Sequence, residues 1–158
     1  MALIDLTLDT NVLLHCCNQI EIRHDSAVEF VTALLASLTN IAIDEGFDID
    51  PAKNRSLIGS EYLSKLVPGT LPSSLISHLA LTGRISIYKS SVNAQLAKKL
   101  NQLVTNKRDR TFVKVCSNSS GKVMVSHDFR DFSASKRKTL NNIFSIAILE
   151  ADACTSQL

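Results

Sequence analysis

Tryptophan is absent from this chain, and phenylalanine and tyrosine together supply only 5% of its 158 residues. That scarcity argues against recognition through broad aromatic stacking platforms. If the ligand is a nucleic acid, it favours reading of backbone or shape instead. No apolar run approaches the roughly 20 residues that span a bilayer. The opening M-A-L-I-D-L has no basic segment and carries an acid early, so no secretory signal is expected. Cys16, Cys17, Cys116 and Cys154 form no C-x-x-C pair. They are expected to be reduced, mostly buried thiols of a cytoplasmic protein rather than disulfides or zinc ligands. Internal repeats and low-complexity segments are missing as well.

What is present describes an ordinary folded domain. Hydrophobic residues make up 45% and charged residues 20%, and the length suits one domain over residues 1–158 with a full core. The net charge of +2 conceals a strong asymmetry. Residues 1–79 hold ten acids against four Lys/Arg, whereas residues 80–158 hold five acids against thirteen. An acidic half beside a basic half is compatible with a cation site placed next to a bound polyanion, although two solvated faces would give the same count.

One stretch poses the functional question. In Leu6-Thr7-Leu8-Asp9-Thr10-Asn11-Val12-Leu13-Leu14-His15 a single aspartate stands between two apolar runs. A buried carboxylate is costly unless it is paired, protonated or bound to a cation.

The pattern along the chain predicts a strand over 2–8 and a helix from Val12. A second helix follows Asp25 or Ser26 as N-cap, with Glu29 three residues after Ser26 and Val28, Val31, Leu34, Leu35 and Leu38 at helical spacing. Strands are predicted over 40–44, 84–88 and 122–126, and a last one from the alternation of Phe144, Ile146 and Ile148. Helices are predicted over 57–66, 73–81, 92–103, 109–117 and 135–142, with a polar, turn-rich loop over 46–54. Strands alternating with helices imply an α/β domain around a mostly parallel sheet, whose ligand site lies beyond the carboxyl ends of the strands.

Acids gather at those ends. Asp9, Asp44 and Asp128 stand at the ends of inferred strands, Glu61 and Asp109 sit on helices, and Asp131 comes close behind Asp128. Crowded carboxylates repel unless a counter-charge joins them. An all-oxygen cluster of this kind suits Mg2+ or Mn2+. Taken singly, each acid has a plainer reading. Asp9 could be a helix N-cap, Asp109 a first-turn acid, Asp44 a turn residue, and Glu61 or Asp131 a solvated surface group. The four histidines have no metal-ligand spacing, and His15 is expected to pack against the core. Lys107, Arg108 and Arg110 bracket Asp109, and Arg130 adjoins Asp128, so these four are expected to hold a phosphate backbone near the acids. The 136–138 basic run reads equally well as a solvated helix face.

Four segments in order resemble the motifs of PIN-domain nucleases. They are Asp9-Thr10-Asn11-Val12-Leu13-Leu14; then Asp44-Glu45-Gly46 followed by Ile58-Gly59-Ser60-Glu61-Tyr62; then 109–116, D-R-T-F-V-K-V-C; then 125–132, V-S-H-D-F-R-D-F. Cys116 stands where the family has a small alanine, and Ser126-His127 replaces its usual threonine and basic residue. The resemblance spans nearly the whole chain. It implies a Rossmann-like three-layer α/β/α sandwich with about five strands. It also implies catalysis by Asp9, Glu61, Asp109 and Asp128 as metal ligands, with Asp44 and Asp131 ligating a second ion or assisting. Asn11 and Ser126 would support the carboxylates. The implied activity is metal-dependent endoribonuclease, with DNA left open as substrate. A toxin or defence-effector setting, an antitoxin or other protein partner and homodimerisation follow from the same resemblance; a membrane partner does not.

Two other functional classes compete. A catalytically weak RNA-binding or scaffold module would share the fold. A phosphatase of the haloacid dehalogenase type needs D-x-D at the first strand, where Asn11 stands, and a receiver domain needs an aspartate ending strand three, which closes on Tyr88.

Overall fold

The computed structural model describes residues 2–158. Short apolar runs form its strands: β1 (Asp5–Leu8), β2 (Asn40–Asp44), β3 (Ile85–Tyr88), β4 (Val123–Val125) and β5 (Ala147–Leu149). Every residue of β1 and β4 is buried, as central strands covered on both faces must be. The five strands make one parallel sheet in the order β3-β2-β1-β4-β5. The chain therefore builds outward from β1 to β3, then crosses back to place β4 on the other side of β1. The β1–β4 junction, where Leu8 pairs with Val125, is the point at which the winding reverses. Crevices for ligands open at such points.

Among the described residues, eight helices flank the sheet: α1 (Thr10–His15), α2 (His24–Ala36), α3 (Leu57–Lys65), α4 (Leu71–Leu81), α5 (Ala94–Leu103), α6 (Lys107–Asn118), α7 (Ala134–Phe144) and α8 (Ala151–Thr155). α2 packs with α1, α4 and α8, while α6 lies against β1, β2 and β4. The arrangement is a three-layer α/β/α sandwich, as expected, with a sheet that is parallel throughout. Leu6, Leu8, Phe30, Ile41, Ile43, Phe112 and Val125 are among its buried core. Among the described residues, no helix is long and apolar enough to cross a membrane. All four cysteines are free thiols; Cys17 is exposed and the other three are buried.

Three local features depart from the sequence pattern. α2 begins at His24 behind Arg23, without a side-chain cap, because the Ser26 hydroxyl donates back to the Arg23 carbonyl instead (3.1 Å). Phe144 closes α7 rather than opening a strand: Ser145 takes a left-handed conformation (φ 56°) that ends the helix, and β5 begins two residues later. The short α8 has no apolar periodicity long enough to announce it.

The 46–55 loop is shaped by its own polar groups. Its ends meet where the Arg55 N–H donates to the Gly46 carbonyl (2.8 Å), and Gly46 has φ 84° with Arg55 pressed against it. Asp48 accepts from the Asp50 N–H (2.8 Å), and Asp50 from the Ala52 N–H (3.0 Å). Both acids are turn formers. Beyond the loop, Tyr62 of α3 donates its hydroxyl to the Leu8 carbonyl, which seats α3 over the end of β1.

Candidate functional site

The site begins where β1 stops. The Asp9 N–H still donates to the Val125 carbonyl (2.9 Å), and α1 starts at the next residue. Asp9 thus occupies the N-cap position of α1, yet its side chain caps nothing. Its Oδ2 instead accepts from the Ser126 hydroxyl (2.7 Å) and from Asn11 Nδ2 (3.0 Å). Asn11 is held in turn, its Oδ1 accepting from the His127 N–H (3.0 Å). The Ser126 oxygen also accepts from the Asp128 N–H (3.0 Å). One hydroxyl therefore ties the ends of β1 and β4 together.

Asp128 then bends the chain. Its Oδ1 accepts from the backbone N–H groups of Arg130 (2.8 Å) and Asp131 (3.0 Å). This turn brings Asp131 beside Asp128. From across the crevice α6 presents Asp109 in its first turn, after an Asn106 cap that accepts from the Arg108 N–H (2.9 Å). Carboxylate oxygens of Asp109, Asp128 and Asp131 all lie within 4.8 Å of one another. Together with Asp9 and Glu61 they line a cleft of about 280 Å3 over the β1–β4 junction.

The electrostatics follow from this crowding. Burial pushes the Asp9 carboxyl up to about 6, and the charges of Asp128 and Glu61 push the same way against the opposing Ser126 hydrogen bond. Asp109 is pushed up to about 8, first by burial, then by the Asp131 carboxyl and the charges of Asp9 and Asp128. Both shifts have one cause: carboxyl groups buried and crowded together resist ionisation. Thr10 also lines the cleft. Its hydroxyl is buried and has no hydrogen-bond partner among the described residues. Five carboxylates make an all-oxygen donor set that fits Mg2+ or Mn2+. Asp109, Asp128 and Asp131 are the groups placed to hold such an ion, with Asp9 next to them.

The remaining expected residues divide. Glu61 is in the cleft with internal partners, Lys65 at 2.7 Å and Arg108 at 3.2 Å. Arg130 stands exposed at the rim of the same cleft. Asp44 is not brought into it. Its carboxylate is taken up by the Ser56 hydroxyl and by the N–H groups of Leu57 (2.7 Å) and Ile58 (3.0 Å) at the start of α3, so it caps that helix. Arg110 also turns away, donating to the Val104 and Thr105 carbonyls (3.0 and 2.8 Å). Lys107 is exposed and outside the lining.

Behind the cleft, His127 stacks on His15 with ring centroids 5.0 Å apart. The Ala151 N–H donates to His127 Nε2 (3.2 Å). The two Nδ1 atoms lie 2.8 Å apart. Hydrogen-bond accounting assigns the His127 proton to Nδ1, donated to His15. Burial first, then His15 and Arg23, lowers His127 to about 4, so the ring is neutral.

Sequence reasoning missed Lys65, Thr10 and Arg137. Lys65 was readable from its position four residues after Glu61 on one helix. Thr10 and Arg137 carried no comparable signal, the latter lying inside a basic run. No known family model, no curated protein and no solved structure matches the chain.

Proposed function

We propose that this protein is a Mg2+- or Mn2+-dependent nuclease that hydrolyses phosphodiester bonds in RNA. The observation that carries the reading is the convergence of Asp9, Glu61, Asp109, Asp128 and Asp131 in one cleft at the reversal point of the sheet. The ordered resemblance of the same segments to PIN-domain motifs supports it. An ion held by Asp109, Asp128 and Asp131 beside Asp9 would offset the carboxylate charge and supply Lewis acidity for phosphodiester hydrolysis. The chain's own residues do the rest. Ser126 and Asn11 restrain Asp9 from two sides, and the turn at Asp128 fixes that carboxylate relative to Asp131. Arg130 at the rim and Arg108 beside Glu61 offer cations to the non-bridging phosphate oxygens. With so few aromatic residues, the substrate is gripped by its backbone.

A second reading draws on Glu61. Two internal cations already neutralise it, as suits a module that binds RNA without cutting it. Labelled single-stranded RNA and DNA of one sequence, incubated with Mn2+ or Mg2+, separate the two. Cleavage of RNA, stopped by a chelator and by Asp9→Asn or Asp128→Asn, is the expected result. Binding by the wild type without cleavage marks the second reading, and undiminished cleavage by Asp9→Asn overturns the first.

A further inference from the structure

The segment that carries Asp128 and Asp131 has no regular secondary structure between β4 and α7, and its two carboxylates face a third on α6. Gathering three carboxyl groups at that spacing is unfavourable unless the segment that carries two of them is restrained. Something on its far side must hold it in place.

Besides the Asn11 and Ser126 contacts and the buried Phe132, one side chain reaches the segment along its whole length. Arg137, on the second turn of α7, reaches under the segment and spends its guanidinium on backbone carbonyls. Nε donates to Phe132 (2.7 Å), one terminal nitrogen to Ile148 (3.4 Å), and the other to both Ser126 and Asp128 (3.2 Å each). The acceptors bracket the segment at its start, its middle and its end, and tie it to β5. The guanidinium also lies over the ring of Phe129, 4.5 Å from its centroid. Arg23, just before α2, stacks on the same ring at 4.7 Å and pairs with Glu150 at 3.0 Å. A lysine ammonium could not reproduce this fork: it has three donors at one point and no planar face.

We propose that Arg137 is the positioning residue of the acidic centre: through four carbonyls and Phe129 it holds Asp128 and Asp131 in the geometry that binds a divalent cation. The inference rests on the metal-dependent reading above. It acts through backbone, so Arg137 touches neither ion nor substrate.

The position of this cation makes the proposal testable by sign. A positive charge near a cation site weakens binding by repulsion, so deleting it on electrostatic grounds alone would tighten Mn2+ binding. Loss of positioning does the opposite. Calorimetric titration of metal-free protein with Mn2+, well below the melting temperature, should show Arg137→Met binding about tenfold or more weakly than wild type, the range seen when supports of ligands are removed. Arg137→Lys, which keeps the charge and loses the fork, should resemble Arg137→Met. In RNA cleavage at saturating Mn2+ both variants should lose kcat with KM nearly unchanged. A folded Arg137→Met that binds Mn2+ as tightly as wild type, or more tightly, overturns the proposal, and so does a rise in KM with kcat intact. Should Arg137→Met not fold, Phe129→Ala removes only the stacked ring, and unchanged Mn2+ affinity there has the same force. Wild-type protein that takes up no Mn2+ overturns the functional reading itself and this inference with it, whereas binding by wild type and its loss in Asp9→Asn leave the Arg137 variants to decide the inference alone.

Discussion

Asp9 carries a cost to stability that the proposed chemistry would explain. It is 5% exposed and its carboxyl is held up at about 6 against an ordinary 3.8. Both of its hydrogen bonds arrive on Oδ2, so an asparagine whose amide oxygen sits there keeps both and sheds the charge. Asp9→Asn should therefore raise the stability of the metal-free protein at pH 8, by up to about 3 kcal/mol for a shift of two units, while abolishing Mn2+ binding. Thermal unfolding with a chelator present checks the first half and calorimetry the second. A related pH dependence follows. In the unfolded chain Asp9 and Asp109 ionise near 3.8, but in the folded metal-free protein they keep their protons to about 6 and about 8. The folded state binds more protons over that interval, so stability falls as pH rises from about 4 to about 8, opposite to the usual salt-bridged carboxylate. A melting series in chelator should show that slope, and saturating Mn2+ should flatten it. The position of Asp9 was legible in the sequence, since a carboxylate after a short apolar strand stands at the ligand edge of a parallel sheet, and that of Asp109 from its place at the start of a helix. Their protonation was not, because it depends on which carboxylates end up facing one another.

At the scale of elements, Asp44 marks the limit of that logic. It ends β2 and Asp9 directly follows β1, and the two look alike on paper. What separates them is the 46–55 loop, which folds back and delivers the start of α3 onto Asp44. No apolar periodicity announces that return, because the loop is closed by Asx turns and one positive-φ glycine, with Phe47 alone among its residues packed on the core. Asp44 therefore influences the cleft only through α3, which carries Glu61 and is seated by Tyr62. Asp44→Ala leaves the Ser56 hydroxyl and two N–H groups without a partner. It should cost about 3 kcal/mol, from a lost cap and buried unsatisfied donors. Mn2+ affinity measured on the folded variant should fall far less than in Asp9→Asn. A loss of affinity equal to that of Asp9→Asn would make Asp44 a ligand after all. The helices and strands themselves were mostly readable within two or three residues, since each has a clear apolar face. The exceptions, the start of α2 and the end of α7, turn on a single hydroxyl and a single left-handed residue.

At the scale of the molecule, the order β3-β2-β1-β4-β5 decides where everything acidic meets, and that order is not written in any one segment. A cation that binds only the folded state adds stability by mass action, about 2.7 kcal/mol at a hundredfold excess over its dissociation constant. For a chain of this length that is roughly 5–10 °C in melting temperature, and scanning fluorimetry with and without Mn2+ should show it. The paired histidines behind the cleft bear on which cation prevails. His127 gives its Nε2 lone pair to the Ala151 N–H and His15 gives its Nδ1 lone pair to His127, so the pair offers the cleft no nitrogen. Burial likewise holds the Cys16 and Cys116 thiols up at about 12, far from the thiolate a metal would need. Zinc, nickel and copper outcompete magnesium through soft nitrogen and sulfur donors, in the Irving–Williams sequence. With those two imidazoles tied up and those two thiols protonated, the donors of the cleft are oxygens, and under the metal-dependent reading the choice among ions would rest on size and cellular abundance rather than on nitrogen or sulfur ligation.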